Sequence, residues 1–337
     1  MIIVLKTKTL DKDVQSIEQK LGLLGMKVHI SKGEFRTIVG VIGDDNKVNL
    51  EQIKSLPYVE NVFQVLKPYR LVSREFREEN TVIKVGAAAI GGKDFVVMAG
   101  PCAVENEKQL LSVAREVKKH GAMILRASAF KPRTSPYDFQ GLKDEGLRIL
   151  RKVKQKTGII VETEVMDVRD VPKVAEYVDI LRVGARNMHN FDLLKEVGKI
   201  RKPVILKRGI AATIKEFLLA AEYIVAEGNP NVILCERGIR TFETATRFTL
   251  DISAIPVIKQ ESHLPIIVDP SHPAGNRNYV IALARAAVAA GADGIIVEVH
   301  PEPEKALSDG IQSLTFPQYE EMMSQLKKLA LAMGRTL

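Results

Sequence analysis

Cysteine is scarce in this chain, which has only Cys102 and Cys235 among its 337 residues. Two cysteines cannot form the disulfide framework of a small secreted domain. Long apolar runs are missing too, because no stretch approaches the roughly 20 apolar residues of a membrane-spanning helix. The first five residues are apolar, but Lys6 follows them directly, which is too short for a signal peptide. We therefore expect a cytoplasmic protein with reduced cysteines.

Tryptophan is absent and aromatic residues make up only 5% of the chain, although the formal net charge is +8. Nucleic-acid-binding surfaces usually combine clusters of Lys and Arg with interleaved aromatic residues. Here many of the basic residues stand singly at the ends of apolar runs, a pattern that favours small phosphate-bearing molecules. With 46% hydrophobic and 27% charged residues, the composition is typical of a globular protein. The length predicts about two domains.

The first 66 residues predict a small α/β domain. Apolar β-branched runs and helically spaced apolar residues alternate as strand, helix, strand, strand, helix and strand, at 1–7, 10–24, 26–31, 35–42, 49–56 and 59–65. This βαββαβ order predicts a ferredoxin-like domain, similar to the ACT-type domains that sense amino acids. The charged segment that follows predicts a linker and, with a short hairpin, occupies residues 67–92.

The rest of the chain, residues 93–337, repeats one unit eight times: a nearly continuous apolar run followed by a helical segment. The predicted strands are 95–100, 123–128, 159–164, 180–184, 203–207, 232–236, 266–269 and 294–299. Strands that are apolar on both faces are typical of a buried parallel sheet, and eight such units predict a closed (β/α)8 TIM barrel. The alternative is a doubly wound open sheet. It is disfavoured because no dinucleotide-binding glycine fingerprint follows the first strand.

Basic residues collect where the predicted strands end. Active sites of such barrels lie at the carboxyl ends of the strands, so residues from distant parts of the chain should meet there. Many like charges around one cavity repel each other unless anions neutralise them, and guanidinium groups match phosphate and carboxylate geometry. Two phosphates and a carboxylate would account for the set, which is Arg126, Lys131, Arg133, Arg186, Lys207 and Arg237.

A second set of strand-end residues offers sulfur, nitrogen and oxygen ligands: Cys102, His272, Glu298 and Asp309. Such a mixture suits one divalent transition metal ion, and the residue types do not distinguish Mn, Fe, Co and Zn. The chain has no short-spacing zinc motif, so the prediction depends on barrel closure. Each residue also has a structural alternative: a packed cysteine, a histidine bonded to backbone, a carboxylate paired with arginine, and an aspartate in an ordinary turn.

These motifs resemble the metal-dependent 3-deoxy-D-arabino-heptulosonate-7-phosphate (DAHP) synthases, which open the shikimate pathway of aromatic amino acid biosynthesis. The resemblance is to the smaller class with an N-terminal ferredoxin-like domain, and it covers essentially the whole chain. The specific motifs are Ala-Gly-Pro-Cys at 99–102, Lys-Pro-Arg-Thr-Ser-Pro at 131–136, Leu-Cys-Glu-Arg-Gly at 234–238, Asp-Pro-Ser-His at 269–272, Glu-Val-His at 298–300 and Ser-Asp-Gly at 308–310.

The resemblance implies a role for each matching residue. The metal ligands would be Cys102, His272, Glu298 and Asp309. Phosphoenolpyruvate would be held by Arg126, Lys131, Gly184, Ala185, Arg186, Lys207 and Arg237. Erythrose 4-phosphate would be held by Arg133, Thr134 and Ser135. The catalytic residues would be Lys131, Cys102 and His272, no organic cofactor is expected, and a homotetramer is typical of the family.

Three other functions are compatible with parts of the pattern. The sister family, 3-deoxy-D-manno-octulosonate-8-phosphate synthase, uses arabinose 5-phosphate, but it typically has Lys-Ala-Asn-Arg-Ser where this chain has Lys-Pro-Arg-Thr at 131–134, and it typically lacks the N-terminal domain. A Schiff-base aldolase would use Lys207. A sugar-phosphate sensor would bind without turnover.

For the first domain we expect feedback inhibition by Tyr or Phe, with His29 and Ser31 on the polar face of its second strand. A solvated or oligomer-forming face is the alternative.

Overall fold

The structure is a computed structural model that describes residues 1–7, 9–33, 36–43, 48–63, 68–133 and 135–337. Its contacts divide the chain into two compact units, Met1–Glu79 and Asn80–Leu337. The predicted boundaries at 66 and 92 stay predictions. None of the helices in the described part of the chain combines the length and the apolar character that a bilayer crossing requires.

The first unit is a four-stranded antiparallel sheet with two helices, which confirms the predicted ferredoxin-like fold. Its strands lie in the order β2-β3-β1-β4. The elements are β1 (Ile2–Leu5), α1 (Asp11–Leu23), β2 (Lys27–Lys32), β3 (Thr37–Ile42), α2 (Leu50–Lys54) and β4 (Val59–Phe63).

Helix α1 packs on this sheet through Val14, Ile17 and Leu21, whose spacing puts them on one helical face. The helix ends before Gly25, which has the left-handed φ of 75° that glycine tolerates best. After β4, the charged segment contributes buried apolar side chains to this unit, and Phe76 packs over Gly40 of β3.

The second unit is the predicted barrel. Eight parallel strands close in chain order: β7 (Val96–Gly100), β8 (Ile124–Arg126), β9 (Ile160–Val165), β10 (Ile180–Val183), β11 (Val204–Lys207), β12 (Val232–Glu236), β13 (Ile266–Val268) and β14 (Gly294–Glu298). The helices are α3 (Glu107–Lys119), α4 (Asp144–Thr157), α5 (Val171–Tyr177), α6 (Phe191–Gly198), α7 (Ile214–Ala226), α8 (Ala254–Glu261), α9 (Ser271–Ala274), α10 (Arg277–Ala289) and α11 (Phe316–Ala332).

A short hairpin covers the amino end of the barrel. Its strands are β5 (Ile83–Val85) and β6 (Ala88–Ile90), so the turn falls at residues 86–87. Ile83 and Ile90 are buried among the first apolar residues of the barrel strands, and the hairpin thereby seals that end. Ligands that enter the barrel therefore reach it from the carboxyl end.

Candidate active site at the carboxyl end of the barrel

The interior of the barrel changes from apolar to charged along each strand. Ile124, Ile180 and Ile205 belong to the apolar cluster near the amino end. Side chains on a strand alternate between its two faces, so the next interior residues are two positions further on: Arg126, Arg182 and Lys207. All three are buried. The sequence alternation thus produces a charged layer above an apolar one.

The charged layer is held together by ion pairs across the barrel. Arg182 donates to Glu162 Oε2 at 2.9 Å and to Glu164 Oε2 at 3.0 Å, and Lys207 contacts Asp269 two strands away. Burial alone would raise the pKa of Glu164, but Arg182 and Lys131 hold it below its ordinary value. The Glu164 carboxylate is therefore charged at neutral pH.

A cavity of about 280 Å³ opens above this layer. Three carboxylates line it (Asp138, Glu164 and Asp309), whereas its cations are Lys131, Arg133, Arg182, Arg186, Lys207, Arg237 and Arg247. Such an excess of positive charge is neutralised by anions. Its wall is tight at Gly184, because a Cβ there would lie 2.1 Å from Glu164 Oε1 and would displace that carboxylate.

The cavity lies beside a cluster of potential metal ligands. Ligand atoms of Cys102, Glu298 and Asp309 all lie within 4.8 Å of one another, and Cys102 Sγ is 3.0 Å from Asp309 Oδ2. Two carboxylates and a sulfur at this spacing repel each other when ionised. Burial raises the pKa of the Cys102 thiol to about 12, with Glu298 adding to the shift and Lys131 opposing it. A divalent cation would stabilise all three anionic forms.

His272 lies next to this cluster but outside it. Its Nε2 atom is 3.7 Å from Glu298 Oε1, and its Nδ1 atom is 2.6 Å from Asp269 Oδ2. Burial lowers the pKa of His272, which the neighbouring carboxylates oppose. The neutral ring is the form that binds metals.

Several neighbours orient the cluster. Lys131 Nζ lies 2.8 Å from Cys102 Sγ. Gln312 Nε2 donates to Glu298 Oε2 at 3.0 Å, and Arg126 Nη1 donates to Glu298 Oε1 at 2.9 Å.

The structure brings most of the predicted site residues together at this end. Lining the cavity are Lys131, Arg133, Gly184, Ala185, Arg186, Lys207, Arg237, His272 and Asp309. Arg126 is 1% exposed and lies beneath the cavity against Glu298, so its contacts are with a candidate metal ligand. Ser135 is partly exposed and does not line the cavity. Thr134 lies outside the described residues.

Other residues of the site were not predicted. Arg182 and Asp269 end strands β10 and β13, so the strand-end argument that found Lys207 applies to them equally. Arg247 and Gln312 stand in loops with no periodic signal, and only the closed fold shows that they reach the site.

His29 and Ser31 lie in the first unit, on β2, an edge strand of its sheet. They alternate with Val28 and Ile30, which pack against the core, so the alternation is present, and the role of this face stays a prediction. The His29 ring lies 5.7 Å from the Phe76 ring, and burial lowers the pKa of His29.

The sequence also matches known families and proteins. Residues 77–334 match the model of the DAHP synthetase I family, and residues 1–67 match that of the DAHP synthase ferredoxin-like domain. A phospho-2-dehydro-3-deoxyheptonate aldolase of Thermotoga maritima is 55% identical, over 99% of both chains. A 2-dehydro-3-deoxyphosphooctonate aldolase of Syntrophotalea carbinolica is 34% identical, over 75% of this chain and 98% of its own.

Solved structures agree with the sequence matches. The crystal structure of the Thermotoga maritima DAHP synthase covers 99% of this chain and 98% of its own, with 55% identity and a TM-score of 0.80. A truncated form of the enzyme from the same organism covers 79% of this chain and 98% of its own, with a TM-score of 0.74. The chain described here belongs to the DAHP synthetase I family.

Proposed function

We propose that this chain condenses phosphoenolpyruvate with erythrose 4-phosphate and water to give DAHP and inorganic phosphate, the first step of the shikimate pathway. The observation that carries the proposal is the cation-lined cavity directly beside the cluster of Cys102, Glu298 and Asp309. One substrate carries a phosphate and a carboxylate and the other carries a phosphate. The cavity therefore has the charge that the pair requires.

The donor set fits a divalent metal ion, with Cys102, Glu298 and Asp309 as ligands and His272 as the fourth. Nε2 of His272 lies 3.7 Å from Glu298 Oε1, which puts it next to one of the other ligands. Bound there, the ion would act as a Lewis acid toward the aldehyde oxygen of the sugar phosphate. The sulfur and nitrogen ligands favour Mn, Fe, Co or Zn over Mg or Ca.

The protein side chains supply charge and alignment. Lys131, Arg186, Lys207 and Arg237, with the backbone at Gly184 and Ala185, would hold phosphoenolpyruvate, and Arg126 would support this subsite from below. Arg133, with Thr134 and Ser135, would hold erythrose 4-phosphate. In this arrangement the methylene carbon of phosphoenolpyruvate attacks the aldehyde carbon, water adds to the adjacent carbon, and phosphate leaves with cleavage of its carbon–oxygen bond. Holding both anions together offsets their repulsion.

Phosphate release tests the proposal. Phosphoenolpyruvate plus erythrose 4-phosphate should release phosphate, a chelator should abolish the release, and added Mn, Co or Zn should restore it. Arabinose 5-phosphate should give little release. A preference for arabinose 5-phosphate would instead assign the chain the activity of the 3-deoxy-D-manno-octulosonate-8-phosphate synthases, and no release with either sugar would refute the proposal.

The Schiff-base alternative is disfavoured by the surroundings of Lys207. A lysine that forms a Schiff base must lose its proton, whereas here its ammonium group is buried against Asp269. Burial would raise the pKa of Asp269, but His272 and Lys207 hold it well below its usual range. Borohydride added with substrate should therefore leave the chain unmodified, and a trapped adduct on Lys207 would contradict the metal-dependent reaction.

We further propose that the first unit binds Tyr or Phe as a feedback inhibitor, with His29 and Ser31 on the binding face, and that the enzyme is a cytoplasmic homotetramer. The half-buried His29 beside Phe76 supports an aromatic ligand. Deletion of residues 1–66 should remove inhibition and spare turnover, and a truncated relative that has been solved as a structure supports the design. Inhibition that persists in the deletion variant would contradict a regulatory role of the first unit. The homotetramer is tested separately, by measuring the subunit number in sedimentation experiments.

A further inference from the structure

Arg247, a cation of the cavity wall, forms an ion pair with the candidate metal ligand Asp309. It lies in the loop between β12 and α8, and its Nη1 atom donates to Asp309 Oδ1 at 3.2 Å. The other carboxylate oxygen, Oδ2, is the one that faces Cys102 Sγ. The arginine thus holds the outer oxygen of Asp309 and leaves the inner one for a cation.

The rest of the Arg247 guanidinium has no hydrogen-bond partner among the described residues. Arginine has five N–H donors, and Nη1 contacts Asp309. The side chain is 39% exposed and lines the cavity. The remaining donors are therefore available to an anion in the cavity.

A second cation lies close to Arg247. Arg237 stands over the Phe248 ring at 4.3 Å, and Arg247 lies 5.8 Å from the centroid of the same ring. Within the described residues, Nη1 of Arg237 is buried without a hydrogen-bond partner. Burial lowers the pKa of Arg237, which Asp269 opposes and the nearby Arg247 reinforces. Two guanidinium groups around one ring indicate two neighbouring anion positions: Arg237 holds phosphoenolpyruvate in the proposed function, and Arg247 is left for the second anion.

We propose that Arg247 joins the two halves of the active site: it orients Asp309 toward the metal ion and binds the phosphate group of the aldose phosphate. This inference rests on the proposed function and adds a residue to it. Residues that orient metal ligands typically change metal affinity by about 10–100-fold when they are removed. A residue that also holds one substrate should change the KM of that substrate selectively.

The test compares Arg247→Ala with Arg240→Ala. Arg240 is an exposed arginine of the same loop that does not line the cavity, so the control removes the same charge nearby. We expect Arg247→Ala to weaken Mn or Zn binding roughly 10-fold in competition with a chromophoric chelator. We also expect a KM for erythrose 4-phosphate that is about 10-fold higher and a KM for phosphoenolpyruvate that changes less than about 3-fold. Arg240→Ala should match the wild type in all three measurements.

A second pair of variants separates orientation from substrate binding. Gln312 orients Glu298 but lies outside the main cavity, so Gln312→Ala should weaken metal binding without a selective change in either KM. Arg247→Lys keeps the charge, and it provides the measurement if the alanine variant does not fold; it should recover part of the metal affinity. The inference is overturned if metal affinity is unchanged in Arg247→Ala, or if both KM values rise equally.

The outcomes also separate this inference from the proposed function. If the wild type releases phosphate and the Arg247 variants behave like it, only the role of Arg247 fails. If the wild type releases none, the proposed function fails. The chelator competition and calorimetry with erythrose 4-phosphate then still decide whether Arg247 orients Asp309 and binds a sugar phosphate, because neither measurement needs turnover.

Discussion

The two ends of the barrel are built from the same eight strands, yet they bury opposite kinds of side chain. Near the amino end, Ile124, Ile180 and Ile205 pack against the β5–β6 hairpin. Two residues further along, Arg126 and Arg182 are equally buried among carboxylates. Burial of an apolar side chain stabilises the fold without a specific partner. A buried charge, in contrast, is costly unless it is paired. Stability is therefore concentrated at one end and chemistry at the other.

The pairing at the charged end is incomplete. Nε of Arg126, Oε1 of Glu162 and Nη1 of Arg237 are buried without a hydrogen-bond partner in the part of the chain that the structure describes. Such atoms are costly unless a ligand or water satisfies them. Their concentration beside the cavity indicates that this end of the barrel is completed by its substrates and metal ion.

The largest expected effect is on the apolar end. Ile90→Ala removes a fully buried side chain from the hairpin and should lower the free energy of unfolding by about 2–5 kcal/mol, as measured by chemical denaturation. The KM values and metal affinity should stay unchanged in the folded fraction. Leu331→Ala, at a 77% exposed position, is the control and should change the free energy of unfolding little. A change in KM with unchanged stability would contradict the division between the ends.

The next effect is on the charged end. Cys102→Ala should reduce metal affinity and turnover at least about 100-fold, since even outer partners of metal ligands cost about 10–100-fold, while the melting temperature of the metal-free protein changes little. Cys235→Ala is the matched control, because Cys235 is buried in the apolar cluster. It should lose stability and keep metal binding. Full activity in Cys102→Ala would exclude the cysteine as a ligand.

The smallest effect concerns pH. The pKa of Glu164 is lowered from 4.5 in the folded chain, against the effect of burial, by Arg182 and Lys131. Its charge therefore stabilises the fold above about pH 4.5, and this contribution is lost as the pH falls through the lowered pKa. Glu164→Gln should cost about 1–2 kcal/mol at neutral pH, and the difference from the wild type should shrink below about pH 4.5 in unfolding experiments. A difference that is independent of pH would show that the charge of Glu164 contributes nothing.

The fold could be predicted from the sequence because its signals are local. Alternation of apolar runs and helical spacing placed all eight barrel strands, and the carboxyl-end rule placed Lys131, Lys207 and Arg237 in one cavity. The short hairpin expected within residues 67–92 is present at 83–90. Gly91, just after it, makes a close approach, since a Cβ there would lie 2.3 Å from the Thr81 carbonyl oxygen.

The parts of the site that could not be predicted depend on closure. The ion pair of Arg126 with Glu298 joins residues 172 positions apart, and no spacing rule identifies it. Arg247 and Gln312 lie in loops whose paths follow from tertiary packing alone. Sequence reasoning thus found residues that follow strand ends or stand in motifs, and it missed Arg247 and Gln312, which have neither signal.

Gly184 has a consequence for how this cavity can change. Because Glu164 Oε1 occupies the space where a methyl group at position 184 would stand, a side chain there would push this carboxylate aside. The other oxygen of the same carboxylate accepts a hydrogen bond from Arg182 at 3.0 Å, so the displacement would also disturb the ion pair beneath the cavity. A variant library that aims to reshape this wall for another sugar should therefore change residues 164 and 184 together.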